Sequence, residues 1–196
     1  MIVGITGPIC AGKGRVTEEF KKLGFVHHSF SREIRQVAKE RGIKVSRLTL
    51  SKLGFDLRKE SRKSKSNESI LGRRVLDHIL KDMKKGQHKF VVDGLRDYDE
   101  LYLFRQHEMD NKDTRFVLVG VDAPQELRWQ RLRKRGRQGD PETFEDFKKV
   151  DDWEMSGRGG QEVGKCMKMA DYIIVNDSSV TEMKKKVKEI VSEILG

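Results

Sequence analysis

Apolar residues along this chain gather in five short runs rich in Val, Ile and Phe, at residues 1–6, 26–30, 90–93, 115–121 and 172–175. Short runs of this kind read as buried strands of a sheet covered on both faces. Between the runs, apolar positions recur every three to four residues. This predicts helices over 13–23, 31–41, 46–60, 69–84, 97–107, 124–135, 141–152, 161–169 and 180–194. Strands that alternate with helices indicate a parallel sheet clothed on both sides, a three-layer α/β fold. Two helix starts carry capping chemistry: Ser179 with Glu182 three residues on, and Asp140 before a first-turn Pro141. Polar stretches without periodicity at 62–68 (RKSKSNE) and 156–160 (SGRGG) are predicted loops, the first of them mobile. No internal repeat and no domain boundary is visible, so residues 1–196 read as one domain.

Charge adds a partner to this picture. Lys and Arg number 41 against 31 Asp and Glu, a net charge of +10, which calls for something polyanionic. The apolar runs are far shorter than the roughly 20 residues needed to cross a bilayer. The start MIVGITG lacks the basic, then long apolar, pattern of a secretory signal, so a cytoplasmic location and no membrane partner are expected. Cys10 and Cys166 lie far apart and form no CxxC pair, so no disulfide framework, cysteine zinc site or other metal-ligand set is indicated. His27 and His28 are adjacent on a strand and should face opposite sides, one buried and one exposed.

The first strand runs into GPICAGKG and then an amphipathic helix. A glycine loop between strand and helix N-terminus lets backbone amides and the helix dipole face an anion, with a lysine to reach β and γ phosphate oxygens. The candidate nucleotide-binding residues are therefore Gly7, Pro8, Ile9, Cys10, Ala11, Gly12, Lys13, Gly14 and Arg15. Gly14 and Arg15 replace the Ser or Thr that normally follows the lysine and ligates Mg²⁺. The ion would then be held by nucleotide phosphates and waters. Cys10 reads as a small structural residue of the loop.

Asp93 closes an apolar run at the strand end where open α/β sheets bind ligands, and can orient magnesium-bound water. SFSREIR places Ser31 at a helix start and Arg35 one turn in, a hydroxyl and a guanidinium suited to a phosphomonoester. Arg96 follows three residues after Asp93, and Arg58 is a weaker candidate for the same pocket. The densest basic segment holds Arg128, Arg131, Arg133, Lys134, Arg135 and Arg137. On a helix, positions 128, 131 and 135 share a face, so their guanidiniums can converge on a triphosphate. Asn176 and Asp177 stand where the last strand turns into the final helix.

Taken together, GPICAGKG, SFSREIR, DGLRD, VDAPQELRWQRLRKRGRQGDPETFEDF and ADYIIVND resemble a group of P-loop kinases. The group includes adenylate kinase-like proteins, dephospho-CoA kinases and the kinase-like domain fused to some deoxycytidylate deaminases. The resemblance covers nearly the whole chain. It implies an NMP-kinase-type core with a five-stranded parallel sheet, an acceptor-binding helical portion near 31–85 and a short lid near 128–160. By the same resemblance Arg96 matches the arginine that holds the acceptor phosphate, although DGLR is one residue shorter than the family's segment. Arg131 and Arg135 match lid arginines that stabilise the transferring phosphoryl group, Arg128 joins them on the nucleotide, and Asn176 lies beside adenine. ATP and Mg²⁺ are the implied cofactors.

Chemistry separates the acceptors. A hydroxyl acceptor benefits from a positioned carboxylate base, whereas an acceptor phosphate is already ionised and needs charge neutralisation. Dephospho-CoA kinases carry an Asp just after strand two, where this chain has Ser29, Phe30, Ser31 and Arg32. The expectation is ATP-dependent phosphorylation of a nucleoside or deoxynucleoside monophosphate, with Lys13, Asp93, Arg131 and Arg135 as catalytic residues. Dephospho-CoA kinase activity and a nucleotide-gated nucleic-acid-binding protein are the alternatives. The second rests on the +10 charge and on lysines around 58–65 and 184–188 that catalysis does not use.

Overall fold

The computed structural model describes residues 1–64, 68–157 and 161–196. Its five strands are β1 (Ile2–Thr6), β2 (Val26–Ser29), β3 (Phe90–Asp93), β4 (Phe116–Asp122) and β5 (Tyr172–Val175). They form one parallel sheet in the order β2-β3-β1-β4-β5. Nine helices occur among the described residues: α1 (Lys13–Lys22), α2 (Phe30–Glu40), α3 (Arg47–Lys63), α4 (Ile70–Met83), α5 (Tyr98–Asp110), α6 (Gln125–Arg135), α7 (Phe144–Ser156), α8 (Val163–Lys168) and α9 (Val180–Leu195).

Period-two alternation sorts the strand residues between two cores. Val3, Ile5, Val91, Val117, Val119 and Val121 pack under α1 and α9 with Phe20, Val187 and Ile194. Ile2, Phe90, Val92, Phe116 and Leu118 turn the other way, onto residues of α2 to α5 such as Phe30, Leu57, Leu76 and Phe104. Phe104 and Phe116 stack with centroids 5.3 Å apart. Burying such a side chain contributes roughly 1.5–3 kcal/mol. Because both faces of the inner strands β1, β3 and β4 are covered, those strands are almost wholly apolar, whereas edge strand β2 reads VHHS and is only half-buried. No helix among the described residues is long and apolar enough to cross a membrane.

Several local expectations change. The helix placed at 141–152 starts at Phe144, because the Thr143 hydroxyl accepts from Asp146 N and caps it. Asp140 is drawn instead to the guanidiniums of Arg135 and Arg47. Helix α3 runs through Arg62 and Lys63 into the stretch expected to be loop. There Arg62 pairs with Asp97 at 2.5 Å and Asp99 at 3.3 Å, tertiary partners that periodicity does not register. Lys65, Ser66 and Asn67 of that stretch lie outside the described residues. So do Arg158, Gly159 and Gly160 of the second; Ser156 ends α7 and Gly157 caps it at φ 80°. His27 and His28 are both half-buried rather than split: each Nε2 faces a carboxylate, Asp93 at 3.4 Å and Asp82 at 3.3 Å respectively. At Ser179 the hydroxyl accepts from Glu182 N, the expected cap.

Candidate active site

The glycine loop between β1 and α1 closes because two positions tolerate backbone that side chains do not. At Gly7 (φ 142°) a Cβ would stand 2.1 Å from Val121 O, and at Gly12 (φ 107°) it would stand 2.1 Å from Asn176 Nδ2. Cys10 is the one non-glycine residue with positive φ among those described, at 59°. The loop's carbonyls are turned onto donors. Lys13 Nζ donates to Gly7 O at 2.6 Å and Pro8 O at 2.7 Å. Asn176 Nδ2 donates to Ala11 O at 2.7 Å, Arg128 Nη1 to Ile9 O at 3.4 Å and Arg131 Nη1 to Ala11 O at 3.4 Å. Arg15 N and Val16 N donate to Gly12 O, at 2.9 and 3.3 Å, which leaves the amides of Lys13 and Gly14 as the donors at the start of α1 without a backbone acceptor among the described residues.

Lys13 folds back on its own loop. Burial first, and then the charge of Arg96, push its ammonium down to about 7. Asp93 ends β3 in register with Ile5 and Ser29. Burial works to raise its pKa, but the polar side chains of His27 and Ser29 beside it, with the charges of His27 and Lys13, hold it below the ordinary aspartate value. Asp93 Oδ1 and Thr6 Oγ1 are buried without a hydrogen-bond partner among the described residues. An ionised, partly unsatisfied carboxylate beside the loop fits a hydrated Mg²⁺, whose reluctance to shed water suits a single carboxylate. No group of three or more His, Cys, Asp or Glu able to hold a metal occurs among the described residues.

Beside the loop, meeting it at Ile9, lies a cleft of about 570 Å³. Its walls bring together Ser31, Arg35, Arg58, Arg96 and Arg135, drawn from α2, α3, the turn after β3 and α6, and add Arg47 and Arg137. Phe30, Ile34, Val45 and Leu50 supply the apolar lining. Each arginine is steadied differently. Arg35 Nη1 donates to Ser31 O at 3.0 Å, and its side chain stays exposed. Arg135 holds Asp140 at 2.7 Å, and burial lowers its pKa. Arg58 is buried, with Nη2 2.8 Å from Glu100 Oε1; the other oxygen of Glu100 accepts from Arg96 N at 2.9 Å.

Two sequence expectations change here. Arg128 does not join Arg131 and Arg135 over the anion site, although all three lie on α6. Its guanidinium is buried in a two-pronged pair with Asp151, at 2.5 and 2.7 Å, and its Nε donates to Ala123 O. A buried guanidinium needs its countercharge, and Asp151 on α7 supplies it. Asn176, expected beside a base, is buried with its amide donating into the loop, so it serves as a buttress. Arg131 stays near the loop, its Nη2 donating to Asn176 O at 2.8 Å. Arg15 is exposed, close enough for its charge to depress Arg131 along with burial.

Sequence reasoning missed Glu154 and Gln161. Both line the cleft, and both accept from Arg96 Nη1, at 3.1 and 2.9 Å. No motif marks them. The one available signal was that Asp151 and Glu154, spaced three apart on a helix, put two acids on one face of a segment following an arginine-rich one.

A family model described as an AAA domain matches residues 3–151. The UPF0200 protein of Thermococcus gammatolerans is 33% identical over 195 residues, which cover 100% of this chain and 96% of that relative. Among solved structures, the shikimate kinase of Aquifex aeolicus superposes with a TM-score of 0.51 at 17% identity, covering 100% of this chain and 99% of the other. The dephospho-CoA kinase of Campylobacter jejuni gives 0.51 at 18%, covering 98% and 96%. At these identities the likeness is one of fold, the five-stranded parallel P-loop kinase fold that the family resemblance implied.

Proposed function

Since this chain belongs to the AAA-domain family and is one of the UPF0200 proteins, we propose that it transfers the γ-phosphoryl group of ATP to the phosphate of a nucleoside or deoxynucleoside monophosphate. The observation that carries this reading is the cleft beside the glycine loop, where guanidiniums from four parts of the chain face one space. Phosphoryl transfer to a phosphate brings two polyanions together, so neutralisation and alignment are the main work required.

On this reading the loop amides and the N-terminus of α1 bind the ATP phosphates. Lys13 leaves the carbonyls of Gly7 and Pro8 for the β/γ bridge, an exchange of two neutral acceptors for charged ones. Asp93 would hold the water shell of Mg²⁺, which supplies charge neutralisation at the β and γ oxygens. Arg131 and Arg135 steady the transferring group, and Ser31, Arg35 and Arg96 hold the acceptor, with Arg58 acting through Glu100. Residues 31–85 form the acceptor side and 128–160 the lid, as far as those segments are described. Arg47, bridged to Asp140, ties the two sides across the mouth of the cleft.

A second reading, transfer to a hydroxyl such as that of dephospho-CoA, draws support from Glu154, which puts a carboxylate on the cleft wall. A screen of all ribo- and deoxyribonucleoside monophosphates and dephospho-CoA with Mg-ATP, products resolved by chromatography, tests both. Diphosphate formation from at least one monophosphate is expected. Turnover of dephospho-CoA alone would replace the first reading by the second.

A further inference from the structure

Arg96 is held at its backbone and at one end of its guanidinium, and the holding is one-sided, whereas cleft neighbour Arg58 has all three guanidinium nitrogens engaged. Its backbone N donates to Glu100 Oε2 at 2.9 Å, and its carbonyl accepts from Glu162 N at 2.7 Å. On the side chain, Nη1 alone is employed, donating to Glu154 Oε1 at 3.1 Å and Gln161 Oε1 at 2.9 Å. The N–H groups on Nη2 and Nε have no partner among the described residues, and they form the edge of the guanidinium that matches two phosphate oxygens. A flexible arginine loses side-chain entropy when it binds, and one already clamped by its far nitrogen has lost most of it beforehand.

Glu154 can do this because α7 is itself anchored. One turn back on the same helix, Asp151 is buried against Arg128 and also accepts from Gln125 Nε2 at 2.9 Å. Glu154 is thereby presented to Arg96 from a fixed helix, with only 14% of its side chain exposed. We propose that Glu154, together with Gln161, is the positioning residue that aims Arg96 at the acceptor's phosphate, an assignment that rests on the phosphate-acceptor reading above. The role requires an acceptor oxygen at the Glu154 position, and it does not require the negative charge.

Glu154→Gln and Glu154→Ala, assayed for monophosphate turnover under Mg-ATP, separate this role from its rivals. Positioning predicts that Glu154→Ala raises the acceptor KM and lowers kcat, with kcat/KM down about tenfold or more, while the KM for ATP stays within about twofold. Glu154→Gln should restore kcat/KM to within about threefold of the wild type. Equal losses in both variants would make the carboxylate's charge the functional element, as a hydroxyl acceptor needs, and overturn the proposal. Unchanged or improved turnover in both would show that Glu154 merely competes for Arg96, and would overturn it too.

Side-chain ¹⁵N NMR of the arginines, with Arg96 assigned through Arg96→Lys, needs no acceptor chemistry. Slow rotation of the Arg96 guanidinium in the wild type and Glu154→Gln, and free rotation in Glu154→Ala, is the expected result. The same slow rotation in Glu154→Ala would overturn the proposal. A wild type that phosphorylates no monophosphate would sink the functional reading, and the NMR result would still decide whether Glu154 holds Arg96.

Discussion

On the proposed function, the two sides of the cleft would bind anions by different means. On the nucleotide side of that reading the surface is mostly backbone: a loop of residues 7–12 between one strand and one helix, its carbonyls accepting from Lys13 and Asn176. On the acceptor side there is no such loop. Guanidiniums from α2, α3, the turn after β3 and α6 meet in space, and acids steady several of them: Glu100 for Arg58, Glu154 for Arg96 and Asp140 for Arg135. The first arrangement is local in sequence and specifies only a phosphate chain. The second depends on tertiary packing, and on the proposed function its shape would select the acceptor.

The largest effect expected from breaking this comparison is on the nucleotide side. Lys13→Ala should lower turnover by about a thousandfold, on the scale of removing a preorganised transition-state donor, for every acceptor alike. Its thermal unfolding should stay close to that of the wild type, since Lys13 donates only to loop carbonyls. Turnover near the wild-type rate would disprove the active-site assignment, and a loss confined to one acceptor would erase the distinction between the two sides.

Arg58→Ala sharpens the other half. Removing one partner of a buried ion pair leaves Glu100 uncompensated, which costs about 3–5 kcal/mol of stability. Urea unfolding should show a loss of that order, accompanied by a raised acceptor KM because Glu100 also holds the backbone of Arg96. A changed KM with no loss of stability would mean that Arg58 contacts the acceptor directly.

The smallest effect is a pH dependence that belongs to the nucleotide side alone. With its ammonium near 7 in the empty protein, Lys13 is largely neutral at pH 8, whereas phosphates would restore its charge. Binding of ATP should therefore take up a proton, and affinity should fall as pH rises above about 7, by up to tenfold per pH unit. Calorimetry in buffers of differing ionisation enthalpy reads the proton uptake. For folding the sign is opposite. Between about 7 and the ordinary lysine value of 10.5 the unfolded chain binds more protons, so this group makes stability rise with pH. Lys13→Met should abolish the proton uptake on binding; a proton uptake unchanged in that variant would assign it elsewhere.

How much of this was legible beforehand follows from the same division. The alternation of strands with helices, the parallel sheet and the glycine loop come from short-range patterns, namely apolar runs, glycines at fixed spacing and a strand feeding a helix, whereas the order β2-β3-β1-β4-β5 appears only in the fold. That Arg35 and Arg96 line the cleft was within reach because each follows directly from a helix start or a strand end. Arg128 was misassigned, since helical spacing says which side chains share a face but not which acid lies opposite, and Asp151 is 23 residues away. The helix predicted at 141–152 began late for a related reason: Asp140 was read as a cap when two arginines, one of them on α3, had claimed it.

Sequence alone determined the parts that backbone geometry dictates: a buried parallel sheet, a phosphate loop at its first strand end and an excess of positive charge for polyanions. Tertiary structure alone decided which arginines face the cleft and which are buried as ion pairs, that Asn176 props the loop, and that Glu154 and Gln161 grip Arg96. The physical reason is range. A hydrogen-bonded turn or an apolar face is set within a few residues, whereas the partner of a charge is whatever folding brings within about 4 Å, and nothing in the local sequence records it.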